Sequence, residues 1–152
     1  PILFKSPTCG CCAEWVKVLS HAGIDLEVKD LRSVSKIKKM LQIPPELQSC
    51  HTAVIGNYVF EGHVPVREIK RLLQERPKAI GIAVPGMPIG SPGMEQGGRK
   101  DPYQVILFYK GGKRVFAEYS SAVPCASAEY HSRPITNSMT AKFSKMPDVG
   151  VI

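Results

Sequence analysis

The stretch Ser6-Pro7-Thr8-Cys9-Gly10-Cys11-Cys12-Ala13-Glu14-Trp15 (SPTCGCCAEW) packs three cysteines into four positions, where the apolar run Ile2-Leu3-Phe4 gives way to a helix. Ile2-Leu3-Phe4 reads as a buried strand that Ser6-Pro7 ends. Thr8 offers a side-chain oxygen near the start of a helix over Cys11–Ala22. Trp15, Val16, Val18 and Leu19 form its apolar side, and Gly23 suits the position after its end. Cys9 and Cys12 have the C-x-x-C spacing of thiol oxidoreductases. At a helix N-terminus, free N–H groups and the helix dipole favour thiolate, the form that attacks disulfides and binds metal. A disulfide switch needs no third cysteine, so Cys11 argues for chemistry that uses more than two sulfurs. A disulfide switch, a metal site, or both are open on these residues alone.

Working outward, Leu26–Lys29 alternates as a second strand. Ser33 is placed to cap a helix whose apolar residues Val34, Ile37, Met40 and Leu41 repeat at helical spacing. That assigns Met40 to the core and Lys36-Ile37-Lys38-Lys39 to the wet face, with Ile43-Pro44-Pro45 as the stop. Thr52–Ile55 and Tyr58–Gly62 read as strands joined by a tight turn at Gly56-Asn57. Val64–Arg76 is a helix with Pro65 in its first turn and Val66, Ile69, Leu72 and Leu73 as its stripe. The order β-α-β-(α)-β-β-α, with cysteines at the first strand-to-helix turn, describes an α/β chain of the thioredoxin-like sandwich type. Ala83–Gly98, rich in Gly, Pro and Met, is expected to be loop. Gln104–Phe108 and Arg114–Tyr119 form a C-terminal β-hairpin extension around Lys110–Lys113. Residues 1–119 are thus expected to make one domain, and 120–152, which show no period, an irregular tail.

Composition narrows the function classes. The 152 residues carry a net charge of +7, but the lysines are scattered and no aromatic residues interleave with a basic run, which disfavours nucleic acid as a partner. An anionic surface or an acidic partner fits that charge equally well. No apolar stretch approaches a membrane span. Because the chain opens at Pro1 on an apolar run, a removed segment such as a secretory signal is expected before it. Five cysteines cannot all pair within one chain, and three lie in one turn, so redox or metal chemistry describes them better than a disulfide framework does.

Cys50 completes the pattern. In a thioredoxin-like fold, the loop entering the third strand lies against the C-x-x-C turn and ordinarily carries a cis-proline. Here it reads Ser49-Cys50-His51-Thr52, so a fourth thiol stands where a ring would shield the sulfurs. Four thiolates converging at a helix N-terminus make a soft site suited to Cu(I) or Zn(II).

Cys9-Gly10-Cys11-Cys12, Cys50-His51-Thr52-Ala53-Val54, Glu61-Gly62-His63-Val64-Pro65 and the loop Pro85–Glu95 (PGMPIGSPGME) together resemble, over residues 2 to about 119, the CopG-like family of copper-resistance operons. The tail after Tyr119 has no counterpart in that resemblance. It implies a thioredoxin-like fold, a periplasmic location and copper bound through cysteine sulfur. Carried over by position, Cys9, Cys11, Cys12 and Cys50 are the copper ligands, and their crowding favours a multinuclear Cu(I)–thiolate cluster. His51, Met87 and Met94 are accessory candidates, since a neutral thioether holds Cu(I) weakly. Cys9 and Cys12 are a candidate redox pair that accepts oxidation by Cu(II) and is re-reduced by a thiol reductant. Other periplasmic copper-resistance proteins are the expected partners.

The plainer assignments stand beside these. His51 is either a donor behind the ligands or a strand-end residue, and His63 reads as a turn or cap residue. His21 is surface, and Trp15 is a core anchor behind the cysteine turn. Met87 and Met94 are equally explained as loop packing. Cys125, His131, Met139 and Met146 read as incidental to the tail rather than as further soft ligands. Two rival functions remain: a dithiol oxidoreductase using only Cys9 and Cys12, and a structural zinc module, for which the second C-x-x-C half is missing.

Overall fold

A computed structural model of the chain describes residues 1–120, and the tail beyond, with Cys125, His131, Met139 and Met146, lies outside the described residues. The elements are β1 (Ile2–Lys5), α1 (Gly10–His21), β2 (Glu27–Asp30), α2 (Ser35–Met40), β3 (Thr52–Ile55), β4 (Tyr58–Glu61), α3 (Val66–Glu75), β5 (Gly81–Ala83), β6 (Tyr103–Tyr109) and β7 (Gly112–Tyr119), with a 3-10 turn at Pro45–Leu47. One mixed sheet takes all seven strands in the order β2-β1-β3-β4-β5-β6-β7. β1 pairs parallel to β2, and β4 parallel to β5, while the remaining neighbours are antiparallel. The C-terminal hairpin therefore continues the main sheet, joined to it by β5. That strand was not anticipated; Gly81-Ile82-Ala83 is too short to show a period.

The alternation of the strands sorts two cores onto opposite faces. Leu3, Ala53, Ile55, Phe60, Val105 and Leu107 meet Trp15 and Leu19 of α1 and Ile69 and Leu72 of α3. On the other face Val59, Ala83 and Phe108 pack with Ile43 and Leu47, in the segment that follows α2 and includes the 3-10 turn. Glu61 and Thr52 belong to this second face, the one α2 covers.

Here the expectations for α2 fail. Met40 is 73% exposed, not core, and Lys38, assigned to the wet face, is buried. The helix is only six residues long, and what it turns inward is an ammonium group. Lys38 Nζ donates to Glu61 Oε2 at 2.5 Å and to Thr52 Oγ1 at 2.9 Å. Neither Ser33 nor Thr8 caps a helix. Ser33 Oγ pairs with Ser35 Oγ, Thr8 Oγ1 with Ser6 Oγ, and the residue at the cap of α1 is Cys9 itself. Pro65 precedes the first turn of α3 rather than lying within it.

Candidate metal centre

The first strand-to-helix turn sets the cysteines. Cys9 sits at the N-cap of α1 in extended backbone, and Cys11 and Cys12 lie in its first turn. Cys12 points into the protein and is fully buried, whereas Cys9 and Cys11 are half-buried at the rim. Cys9 and Cys12 are joined as a disulfide, and Cys11 and Cys50 are free thiols. Cys11 Sγ lies 3.5 Å from Cys9 Sγ and 3.7 Å from Met87 Sδ. The sulfurs of Cys9, Cys11, Cys12 and Cys50 all lie within 4.8 Å of one another. The four cysteines singled out in the sequence thus converge on one spot, with Met87 on its exposed side. Met94 ties the 90–94 turn through its backbone, its N–H donating to the Ser91 carbonyl at 2.8 Å and its carbonyl accepting from Gly90 N–H at 2.9 Å.

The loop carrying Cys50 is held without proline, and among the described residues no peptide is cis. Ser49 N–H donates to Glu61 Oε2 at 2.8 Å, the same oxygen that takes Lys38. The carbonyl of His51 accepts from Gly62 N–H at 3.0 Å. Gly62 has φ +78°, and a Cβ there would stand 2.5 Å from the Val84 carbonyl oxygen and 2.8 Å from Ser49, so only glycine lets the two segments cross this closely. Burial raises the Glu61 carboxyl above its usual range, against the pull of Lys38, Thr52 and the Ser49 amide.

Two imidazoles line the buried side of Cys50, and the sequence pointed to only one of them. His51 Nδ1 lies 3.2 Å from Cys50 Sγ and 3.3 Å from Cys12 Sγ. His63 Nε2 lies 3.3 Å from Cys50 Sγ, and its Nδ1 is 2.6 Å from the Pro92 carbonyl oxygen. His63 does lie in the turn between β4 and α3, which the Val64 N–H closes on the Gly62 carbonyl at 2.9 Å, but it is also fully buried and its ring faces the thiols. A signal for this was present in the β3–β4 hairpin. Pairing Thr52 with Glu61 and continuing outward sets position 50 opposite position 63. Trp15 closes the floor, its ring 4.5 Å from that of His51 and its Nε1–H donating to the Val64 carbonyl at 2.9 Å. Burial holds His51 well below the ordinary imidazole range, reinforced by His63 and Lys38, and burial likewise lowers His63. Both rings are therefore neutral at pH 7, the form that ligates metals. Burial, with a smaller contribution from Cys11, pushes the Cys50 thiol up to about 12, so without a metal it is a thiol.

Similarity to known proteins agrees with this picture. Residues 47–94, from the Cys50 loop through the glycine-rich loop, match a family described as a protein of unknown function, DUF411. Two solved structures of the copper resistance protein CopG, termed form 1 and form 2, superimpose with TM-scores of 0.75 and 0.74. They are 42% and 43% identical, each match covering 78% of this chain and 95% of the CopG chain. The chain belongs to the CopG family. No curated protein matches it. This CopG relative is thus a mixed α/β protein with a cysteine and histidine cluster able to hold metal, and no helix among its described residues is long and apolar enough to cross a membrane. Its donor set of thiols, imidazoles and a thioether suits a soft or borderline cation and offers nothing to a hard one.

Proposed function

We propose that the chain binds copper as Cu(I) through Cys9, Cys11, Cys12 and Cys50 once the Cys9–Cys12 disulfide is reduced, in a cluster of several ions bridged by thiolates. The observation that carries this is the convergence of four sulfurs within 4.8 Å, more than a dithiol switch uses. Met87 is the accessory ligand at the open side, His51 the donor behind, and Met94 is the weakest accessory candidate. Cys9 and Cys12 couple the metal's valence to their own: two Cu(II) ions take one electron from each thiolate, leaving two Cu(I) and the disulfide. An external dithiol then returns the two electrons to the protein. The setting is the periplasm, the frame is a thioredoxin-like arrangement over residues 1–119, and the partners are other copper-resistance proteins.

The test is metal content and thiol count on protein purified without oxygen. Two or more coppers per chain support the cluster, and a single zinc refutes it. Anaerobic titration of the reduced protein with Cu(II) tests the redox step, which fails if thiols stay unchanged and Cu(II) survives.

One observation favours a second reading, a dithiol oxidoreductase acting on protein disulfides: the Cys9–Cys12 bond at the N-terminus of α1. Cys50→Ser separates the two. Copper capacity collapses under the first reading, whereas disulfide exchange survives under the second.

A further inference from the structure

We propose that Cys50, His51 and His63 form a mixed nitrogen–sulfur metal site that stays complete while Cys9 and Cys12 are joined, so that the oxidised protein still holds one borderline-soft cation. The inference extends the copper reading to a second state of the same centre, but its donors stand on their own geometry.

A disulfide sulfur is not a thiolate ligand, so in the oxidised chain the four-sulfur set is reduced to Cys11 and Cys50. Cys50 keeps two further donors on its buried side. His63 Nδ1 donates its proton to the Pro92 carbonyl, which leaves the Nε2 lone pair aimed at Cys50 Sγ, 3.3 Å away. A backbone carbonyl that fixes the tautomer and orientation of a ring is the usual support of a metal-bound histidine. His51 Nδ1 approaches the same sulfur to 3.2 Å, while the Gly62 backbone interacts with the ring weakly, its buried Nε2 lacking a hydrogen bond of ordinary geometry among the described residues. The three donor atoms lie within 4.8 Å of one another. Around one cation at ordinary bond lengths, neighbouring S and N donors stand roughly 3.6 Å apart. The sulfur–nitrogen distances here need to open by only a few tenths of an ångström.

The supports are built for this ring rather than incidental to it. Gly93, at φ +85°, brings the Pro92–Gly93 segment so close that a Cβ would stand 3.0 Å from His63 Nδ1 and 2.9 Å from the Trp15 amide nitrogen. His51 and His63 meet edge to face at 4.9 Å, over the Trp15 floor. Two imidazoles and one thiolate suit Zn(II), Co(II) or copper of either valence.

The experiment is an anaerobic Co(II) titration of the whole chain with its Cys9–Cys12 disulfide closed; Co(II) is a probe that leaves the disulfide intact. One equivalent is expected, with sulfur-to-cobalt charge transfer and the ligand-field bands of a low-coordinate ion. Cys50→Ser abolishes the charge-transfer band. His63→Ala weakens binding by more than the ~10–100-fold that loss of an outer-shell partner costs. His21→Ala, an exposed histidine on α1, changes neither. Zinc X-ray absorption on the unaltered, disulfide-closed protein gives the same answer without a variant, as two nitrogens and one sulfur from the protein. The proposal is overturned by a closed protein with no sulfur–cobalt band, by a band that survives Cys50→Ser, or by a zinc shell without imidazole. The cluster is judged separately, by copper count on the reduced protein, so either idea can fail while the other stands.

Discussion

Lys38→Met removes one partner of a fully buried ion pair. Lys38 and Glu61 are 5% and 0% exposed at their side chains, and the Glu61 carboxylate takes Lys38, Thr52 Oγ1 and the Ser49 amide. Breaking such a pair from one side typically costs ~3–5 kcal/mol, a large share of the ~5–15 kcal/mol that holds a domain together. The variant leaves a carboxyl whose titration burial already raises from 4.5, and without the ammonium it rises further. The folded variant then keeps its proton at pH values where the unfolded chain has lost it. Relative to the native protein its stability therefore falls as pH rises through the interval between the native and the variant Glu61 pKa, both above 4.5, by up to ~1.4 kcal/mol per unit. Adding Glu61→Gln removes the stranded charge while keeping an oxygen for the Ser49 amide, and at pH 8 the double variant recovers at least ~2 kcal/mol of the loss. Urea unfolding of the native protein, both single variants and the double at pH 5 and pH 8 measures the cycle. A loss below ~1 kcal/mol at pH 8, a loss independent of pH, or simple additivity of the two changes refutes the argument that this pair fastens α2 and the Cys50 loop to the sheet.

Three further outcomes are expected. In metal-free protein Cys50 alkylates far more slowly than Cys11 at pH 8, and its rate climbs about tenfold per pH unit towards 12, as mass mapping of labelled peptides will show. His51 and His63 titrate below 6.5 in the fold, so acidification protonates the unfolded chain first; lowering pH from 7.5 to 5.5 costs about 1.4 kcal/mol through His51 and less through His63. Because Glu61 and Glu68 are shifted up and act in the opposite sense, the quantity to read is the loss of slope in His51→Gln. Gly93→Ala destabilises by about 1–3 kcal/mol from its left-handed backbone alone and by more from the contact with Trp15 and His63. Gly97→Ala, at φ +58° with open space around it, carries only the backbone share, so equal losses at the two sites would count against the close approach.

The parts of this centre that were legible in the sequence are those that local chemistry dictates. Three cysteines at a strand-to-helix turn announce themselves, and Cys50 stands out because a proline is missing beside it. Strand and helix order followed from periods several residues long. What escaped was decided by partners far away in the chain. Lys38 looks like one more solvated lysine until Glu61, 23 positions on, receives it, and a six-residue helix is too short for the spacing of Val34, Ile37 and Met40 to decide which face turns inward. β5 has three residues, lies between β4 and β6, and is buried on both faces because a core packs on each, Ile82 in one and Ala83 in the other, so it shows no alternation. His63 follows Gly62 and stands two residues before Pro65, which is the local signature of a turn; only the β3–β4 register sets it against Cys50.

That register also explains how one loop serves two donor sets. Cys50 sits between the sulfurs of the α1 turn and the imidazole of His63, with its sulfur within 4.8 Å of the donors of both groups. Glu61 holds the loop from below through Ser49, and Gly62 allows the crossing from the side. Under the two proposals Cys50 would be the fourth sulfur of a soft site with Cys9 and Cys12 reduced, and the one sulfur of the Cys50–His51–His63 donor set with them joined. Donor softness at this spot then follows the redox state of the disulfide. The reduced protein is expected to favour Cu(I) over Zn(II), and the oxidised protein to lose most of that preference. Competition between the two metals under fixed chelator buffering, before and after closing the disulfide, measures this directly. An unchanged copper-to-zinc preference would mean that Cys50 serves one donor set only.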